Sequence, residues 1–179
     1  IIYYGLWDEL KILVDKYLSL SKTEDYRYLT RGTTTSCHKI GDFVFKLDGM
    51  KWSYEDVICP NLYLIIKNLE EHFIRDENGH VVAGIEVEQY LSRCEQITEK
   101  DAKWFNQELS SLGYYLKDTL IGGATGNNCM LLDSYKDADC SNPEALPQHF
   151  KDFPMVLVDR DLVYSKDNKN PKCLLGRRY

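Results

Sequence analysis

Two stretches in the second half of the chain carry residues suited to holding a phosphate-bound metal ion. The first, residues 120–132, places three glycines and two asparagines, the second of them Asn128, between apolar segments. The second, residues 155–161, is a short apolar run that ends on Asp159 and two more polar residues. Mg²⁺ takes hard oxygen ligands and needs few of them from the protein when phosphates supply the others. An Asn and an Asp delivered from neighbouring strand ends would therefore hold such a cation.

A lysine able to reach phosphate lies earlier, in a run of short predicted strands. Alternating residues separated by turn residues predict strands at 26–29, 37–40 and 43–47. Side chains alternate between the two faces of a strand, so Val44 and Lys46 share one face of the third strand. Lys46 thus lies beside a small apolar side chain.

A hydroxyl-rich turn, residues 31–36, joins the first two of these strands and contains Gly32 and Thr33. Backbone N–H groups and hydroxyls in such a turn are hydrogen-bond donors for phosphate. The same segment also fits a plain hairpin with an exposed lysine on the strand that follows.

The sequence pattern of residues 53–69 predicts a helix that is interrupted at Pro60. Ser53 is a suitable N-cap, with Asp56 at the third position near the positive helix end, and Pro60 interrupts the pattern. The helix is expected to resume over residues 62–69, whose apolar side chains recur on one face. Glu55 fits equally well as a solvated residue at a helix end.

Two further helices and a hairpin complete the predicted elements. Residues 6–20 have the apolar period of an amphipathic helix. Strands at 72–75 and 81–91 flank an Asn-Gly turn. Thr98 caps a second helix, whose apolar stripe is expected to continue as far as Leu116. That stripe consists of Ala102, Phe105, Leu109, Leu112 and Leu116.

The order of these elements over residues 26–164, together with the two loops, resembles the protein-kinase-like fold. The resemblance implies a site for ATP and Mg²⁺, in which Asn128 and Asp159 hold the metal. Lys46 would bind the phosphates and Glu55 would fix its ammonium, with Glu70 and Glu71 as rivals.

The resemblance also implies where the rest of the nucleotide would lie. Val44 would pack against the adenine ring, and the turn with Gly32 and Thr33 would cover the phosphates. Val87 would line the back of the pocket. Backbone groups of Glu88, Gln89 and Tyr90 would contact the adenine.

The sequence departs from the kinase pattern at the catalytic position. The residue five places before Asn128 is Gly123, so the Asp that would accept the substrate's proton is missing. Loss of a positioned base commonly costs about 10²–10⁴-fold in rate. Arg160 and Asp161 also replace the Phe-Gly that usually follows the metal-binding Asp.

Three functions follow from these patterns. The first is an ATP-dependent phosphotransferase acting on protein, similar to small bacterial effector or phage kinases. The second is a catalytically silent kinase-like module that docks a partner protein, which Gly123 favours. The third comes from Lys46-Leu-Asp-Gly49, which matches the Lys-x-Asp-Gly motif of ligases and capping enzymes, where the lysine becomes covalently nucleotidylated.

Composition limits the partners. The net charge of −6 and the pI near 5.2 argue against nucleic acid or an anionic membrane, since both attract clustered Lys and Arg. No apolar run approaches the roughly 18 residues of a membrane span. Six scattered cysteines lack the close pairs of a zinc site, and free thiols are favoured over three disulfides. We therefore expect a cytoplasmic protein, or a secreted effector acting in a host cytosol.

The predicted fold class is α+β: a two-lobed, protein-kinase-like domain with an antiparallel N-terminal sheet and a truncated helical C-terminal lobe. Residues 1–25 would form the N-terminal helix, 26–91 the nucleotide-binding sheet, and 92–179 the reduced lobe with the catalytic-type and metal-type loops.

Overall fold

The structure is a computed structural model that describes residues 4–31, 35–48, 52–53, 62–92, 97–116, 128–158 and 163–165. These residues form two compact units. The first contains the described residues before 54 together with 68–90, and the second contains 62–67 and the described residues from 91 onward.

The first unit begins with the helix α1 (Tyr4–Leu20), as the apolar period predicts. Its buried side chains, Leu6, Leu13 and Tyr17, recur at steps of seven and four residues and therefore lie on one face. This face packs on a six-stranded antiparallel sheet, which confirms the α+β class.

The sheet contains every strand expected between residues 26 and 91. Its strands are β1 (Tyr26–Arg31), β2 (Thr35–Ile40), β3 (Phe43–Asp48), β4 (Trp52–Ser53), β5 (Asn68–Arg75) and β6 (His80–Gln89). Strands β1, β2 and β3 form a meander, and β3 then pairs with the distant β6. Both β4 and β5 also pair with β6, which makes β6 the central strand.

The turn between β2 and β3 depends on Gly41. Its φ of 59° lies in the left-handed region that residues with a Cβ rarely adopt. A Cβ there would also lie 2.2 Å from the Ser21 hydroxyl oxygen, which donates to the Tyr17 carbonyl at 2.8 Å. Gly41 therefore sets the hairpin that places β3 beside β2.

The second unit is organised by the helix α2 (Glu99–Ser111). Thr98 and Asp101 form a reciprocal capping box, which satisfies two backbone N–H groups at the helix start. Hydrogen bonds from Thr98 hold the pKa of Asp101 below its usual value. Phe105 and Leu109 are fully buried in the core of this unit.

The expected continuation of the α2 stripe to Leu116 is wrong. The helix ends at Ser111, and Gly113 reverses the chain with a φ of 91°. Leu112 is consequently exposed, and Leu116 belongs to the strand β7 (Tyr114–Leu116). β7 pairs with the strand β10 (Val163–Ser165).

The expectation of a resumed helix over residues 62–69 is also wrong. Ile65 instead makes a parallel bridge with Leu157, and the chain enters β5 at Asn68. Backbone N–H groups of Ile66 and Leu157 donate to Leu157 and Leu64 carbonyls at 2.9 and 2.8 Å. Leu64, Ile65 and Ile66 are all buried in the core of the second unit.

Among the described residues, no helix is long and apolar enough to cross a membrane.

Candidate functional site

The two faces of the sheet in the first unit differ in chemistry where β3 pairs with β6. Directly paired residues on antiparallel strands share a face. Phe45 is paired with Val87, and both are fully buried in the core beneath α1. Lys46 is paired with Glu86, on the opposite face of the same two strands. The face with Lys46, here called the charged face, holds the candidate site.

The centre of the charged face is an ion pair between Lys46 and Glu88. The Lys46 Nζ donates to the Glu88 Oε1 at 2.9 Å. The Glu88 side chain is 3% exposed and that of Lys46 is 16% exposed. Water therefore screens this interaction far less than it screens an ion pair on an open surface.

Two more carboxylates are buried on the charged face. Glu86 lies directly opposite Lys46, and Asp48 lies two residues beyond Lys46 on β3. The Thr35 hydroxyl donates to the Asp48 carboxylate across the β2–β3 pair. Burying charged groups is costly unless they are paired, and clusters of buried ionisable groups are frequent at functional sites.

A second group of cations surrounds the ring of Tyr90. Lys39 is buried, with its Nζ 5.0 Å from the ring centroid, and the Arg27 guanidinium carbon lies 5.7 Å from the same point. Lys39 also donates to both carboxylate oxygens of Asp25, at 2.8 and 2.7 Å. These hydrogen bonds lower the pKa of Asp25.

Six of the residues expected around the nucleotide in this unit are described by the structure: Val44, Lys46, Val87, Glu88, Gln89 and Tyr90. Val44 and Lys46 share the charged face, with Val44 half-buried. Glu88 stands opposite Val44 and turns its side chain to Lys46. The backbone N–H of Tyr90 donates to the Asp42 carbonyl at 2.8 Å, so it is already used within the protein. Val87 lies beneath α1, on the other face from Lys46.

Several predicted positions lie outside the described residues. They are Gly32, Thr33, Glu55, Gly123 and Asp159. Of the rivals to Glu55, Glu70 forms an ion pair with Lys16 of α1, on the face away from Lys46. Glu71 lies on the charged face, but on the outer strand β5, opposite Glu86.

The metal-type residue Asn128 lies in the second unit, at the start of a small antiparallel pair. Strand β8 (Cys129–Leu131) pairs with β9 (Met155–Leu157), and Cys129 faces Leu157. The Val158 N–H donates to the Asn128 carbonyl at 2.9 Å. Asn128 thus lies where β9 ends, and Asp159 follows Val158 in the sequence.

The segment between these two strands is compact. It contains two 3₁₀ turns, Tyr135–Asp137 and Pro143–Ala145, and the short helix α3 (Gln148–Asp152). Phe150 of α3 is fully buried in the core. The loop therefore holds the β8–β9 pair in register.

Donor chemistry at Asn128 suits Mg²⁺, since its amide oxygen is a hard ligand. No cluster of three or more His, Cys, Asp or Glu side chains able to hold a metal occurs within the described ranges. A metal bound mainly by phosphates needs no such cluster, because one or two protein oxygens are enough.

A shallow cavity of roughly 300 Å³ lies at the other end of the β8–β9 pair from Asn128. Its walls include Ser134, Tyr135, Lys151 and Asp152. Lys151 donates to the Glu144 carbonyl at 2.6 Å, and the Tyr135 hydroxyl donates to the Glu144 carboxylate at 2.9 Å. Lys151 and Tyr135 of this cavity thus form hydrogen bonds within the protein.

The sequence did not predict the role of the Glu88 side chain. A usable signal was present: Glu86 and Glu88 alternate with the apolar Ile85 and Val87. In a strand paired on both sides, such alternation indicates one apolar face and one charged face. The pairing of β6 with β3 was needed to place Lys46 on that charged face.

No family model, curated protein or solved structure matches the chain.

Proposed function

We propose that the chain is an ATP-dependent phosphotransferase of the protein-kinase-like type, in which Lys46 binds the nucleotide phosphates. The observation that carries this proposal is the ion pair of Lys46 with the buried Glu88 at 2.9 Å. A lysine kept charged in the interior of a sheet face is a suitable phosphate ligand, because its ammonium is held in one place and only weakly screened.

Energetics support a functional role for this pair. A buried ion pair contributes little stability compared with apolar side chains of similar volume, because desolvation offsets the attraction. The other face of the same strands carries an apolar core that includes Phe45, Ile85 and Val87, so the sheet does not need charges for its core. Buried, paired ionisable groups are frequent at active sites.

The acids on the charged face make a cation necessary for nucleotide binding. Asp48, Glu86 and Glu88 are all buried there, and a nucleoside triphosphate is itself strongly anionic. Like charges in a weakly screened setting repel each other. We therefore expect ATP to bind as its magnesium complex, with little affinity in the absence of a divalent cation.

Asn128 and Asp159 are the proposed metal ligands. Bound Mg²⁺ would neutralise phosphate charge that develops during transfer. On the protein side, the backbone bond between Val158 and Asn128 orients the start of β8 at the point where Asp159 follows β9. Val44 would give the base an apolar contact, and the turn with Gly32 and Thr33 would cover the phosphates.

Gly123 reduces the expected rate, because no carboxylate stands at the position of the proton-accepting Asp. Phosphoryl transfer depends mostly on positioning and charge neutralisation, so slow transfer to a protein hydroxyl remains the expected reaction. The expected substrate is a protein partner.

A second candidate, a catalytically silent kinase-like module that docks a partner protein, is favoured by one observation. The Tyr90 N–H is already bonded to Asp42, and Glu88 is flanked by strands on both sides. The backbone groups of an interior strand form hydrogen bonds with the neighbouring strands, so they are not available to bind an adenine. This candidate predicts weak nucleotide binding.

The test is a titration of ATP with and without Mg²⁺, followed by fluorescence or calorimetry and by thermal unfolding. Ligand that binds only the folded state must raise the melting temperature. The matched control is the double variant Lys46→Met/Glu88→Leu, which removes both charges and retains the side-chain bulk. Binding by wild type but not by this variant would support the proposal. Equal binding by the two would refute it.

Incubation with ATP labelled at the α- or the γ-phosphate separates the enzymatic alternatives. Transfer of the γ-label to protein is the kinase-like outcome. Covalent α-label on Lys46 would instead establish the Lys-x-Asp-Gly function, which requires a neutral amine, whereas an ion-paired ammonium has no lone pair for attack.

Asp159→Asn tests the metal ligand, since it removes one charge and conserves the shape. We expect folding to survive and the Mg²⁺-dependent affinity to fall. Equal metal dependence in variant and wild type would leave Asp159 as a turn residue only.

A further inference from the structure

The carboxylate bonded to Lys46 comes from the adjacent strand of the same sheet. Glu88 stands opposite Val44, and Lys46 stands opposite Glu86, so the pair is diagonal. Diagonal neighbours on antiparallel strands have Cα atoms about 7–8 Å apart, within reach of long side chains. The contact therefore follows from the β3–β6 register.

Both strands lie inside the sheet. β3 is flanked by β2 and β6, and β6 is flanked by β3 and β5. Each backbone is thus tied to its neighbours on both sides, which leaves little freedom for either strand to shift. The core beneath α1 fixes the same strands from the other face through Phe45 and Val87.

We propose that Glu88 is the positioning residue for Lys46, and that the pair is formed before any ligand binds. This inference rests on the proposed function to the extent that Lys46 binds phosphate. It assigns to a strand residue the role that the sequence alone assigned to Glu55.

The origin of the carboxylate has a regulatory consequence. Where the lysine's partner stands on a helix, movement of that helix makes or breaks the pair and switches the enzyme. Glu88 cannot leave Lys46 by such a movement, because that would require β6 to separate from β3. We therefore expect the Lys46 ammonium to be held before ligand binds, so that helix movement would not control activity through this pair.

Other acids on the charged face serve as controls for the effect of Glu88 on Lys46. Glu86 is buried opposite Lys46 on the same strand as Glu88. Glu71 is exposed one strand further out and accepts from Asn68 at 2.7 Å. Glu71→Gln makes the same change of charge on the same face, so it is the matched control for Glu88→Gln.

The experiment measures the reactivity of Lys46 in the protein without nucleotide. A limiting amine-specific reagent is added to wild type, Glu88→Gln, Glu55→Gln and Glu71→Gln, and labelling is quantified by peptide mass spectrometry. Exposed Lys67 serves as the internal reference. An adjacent carboxylate favours the unreactive ammonium by about tenfold or more, so labelling of Lys46 relative to Lys67 should rise about tenfold in Glu88→Gln alone.

A larger rise in Glu55→Gln than in Glu88→Gln would overturn the inference, as would equal rises in Glu88→Gln and Glu71→Gln. If Glu88→Gln does not fold, Glu88→Asp retains the charge but shortens the side chain. A smaller rise in Lys46 labelling is then expected, and no rise would overturn the inference.

Titration of Mg²⁺ and ATP into the same variants separates this inference from the proposed function. If wild type binds ATP, Glu88→Gln should bind about tenfold more weakly and Glu71→Gln unchanged. If wild type binds no ATP, the proposed function fails, and the labelling result still decides whether Glu88 holds Lys46.

Discussion

Neighbouring residues of β3 and β6 lie on opposite faces of the sheet, and the two faces have different chemistry. Phe45 and Val87 are completely buried against α1, and their neighbours Lys46 and Glu88 form an ion pair on the opposite face. The apolar face stabilises the folded protein, because apolar surface is removed from water. The other buries charges, whose desolvation cancels much of their attraction. The comparison teaches that stability and candidate chemistry are divided between the faces of the same two strands.

The largest expected effect is on the apolar face. Phe45→Ala should lower the free energy of unfolding by about 3–5 kcal/mol, because a fully buried ring is removed and a cavity remains. Urea denaturation followed by circular dichroism measures this loss. A loss below 1 kcal/mol would mean that the core beneath α1 is not the main source of stability in the first unit.

The charged face should behave differently under paired replacement. Lys46→Met or Glu88→Leu alone breaks the buried ion pair, and each should cost about 3 kcal/mol. The double variant should recover most of that loss and approach wild-type stability, although its nucleotide binding is gone. A double-mutant cycle by urea denaturation checks this. Additive losses would show that the two charges do not stabilise each other.

Cys37 reports on occupation of the charged face without any mutation. It is a half-buried thiol paired in register with Lys46, and Cys140 is a half-buried thiol in the second unit. Magnesium and ATP should slow alkylation of Cys37 by about threefold or more, as expected for a site mostly occupied by ligand, and leave Cys140 unchanged. Peptide mass spectrometry measures both rates. Equal protection of the two thiols would point to a global effect on the protein.

The smallest expected effect concerns the exposed edge of the charged face. Hydrogen bonds from Lys39 and Thr23 lower the pKa of Asp25 from its usual value in the folded protein. A carboxyl with a lowered folded pKa stabilises the protein above its unfolded pKa, and this contribution is lost as the pH falls through the folded value. Carbon-detected NMR titration should show Asp25 titrating at a lower pH than an ordinary aspartate, and Lys39→Met should raise its midpoint. An unchanged midpoint in that variant would remove Lys39 as the cause.

Local patterns in the sequence were enough for most elements of the first unit. The helix over residues 6–20, the hairpin at the Gly41 turn and the alternation of β6 depend on residues close together in the chain, and all are present. Residues 62–69 were misassigned because a short apolar run fits a helix and a buried extended segment equally well. Its bridge to Leu157 involves a partner about ninety residues away, which no local pattern specifies.

The candidate site shows the same limit. Alternation placed Val44 and Lys46 on one face correctly, because that depends only on β3. It could not say that β6 lies beside β3, and so it treated Glu88 as a source of backbone contacts. The position of Val87 beneath α1 was missed for the same reason, since the face that α1 covers is decided by tertiary packing.

Lys46 and Glu88 are separated by 42 positions in the sequence, which bears on the order in which the protein folds. The β1–β2–β3 meander and the β5–β6 hairpin are each built from contacts near in sequence, which form early and fast. Joining them through β3 and β6 closes a long loop at an entropic cost, so it belongs to a late step. The ion pair lies between β3 and β6, the two strands that this step brings together. We expect both charges to stay in water until that step, so that the site forms only as the sheet is completed.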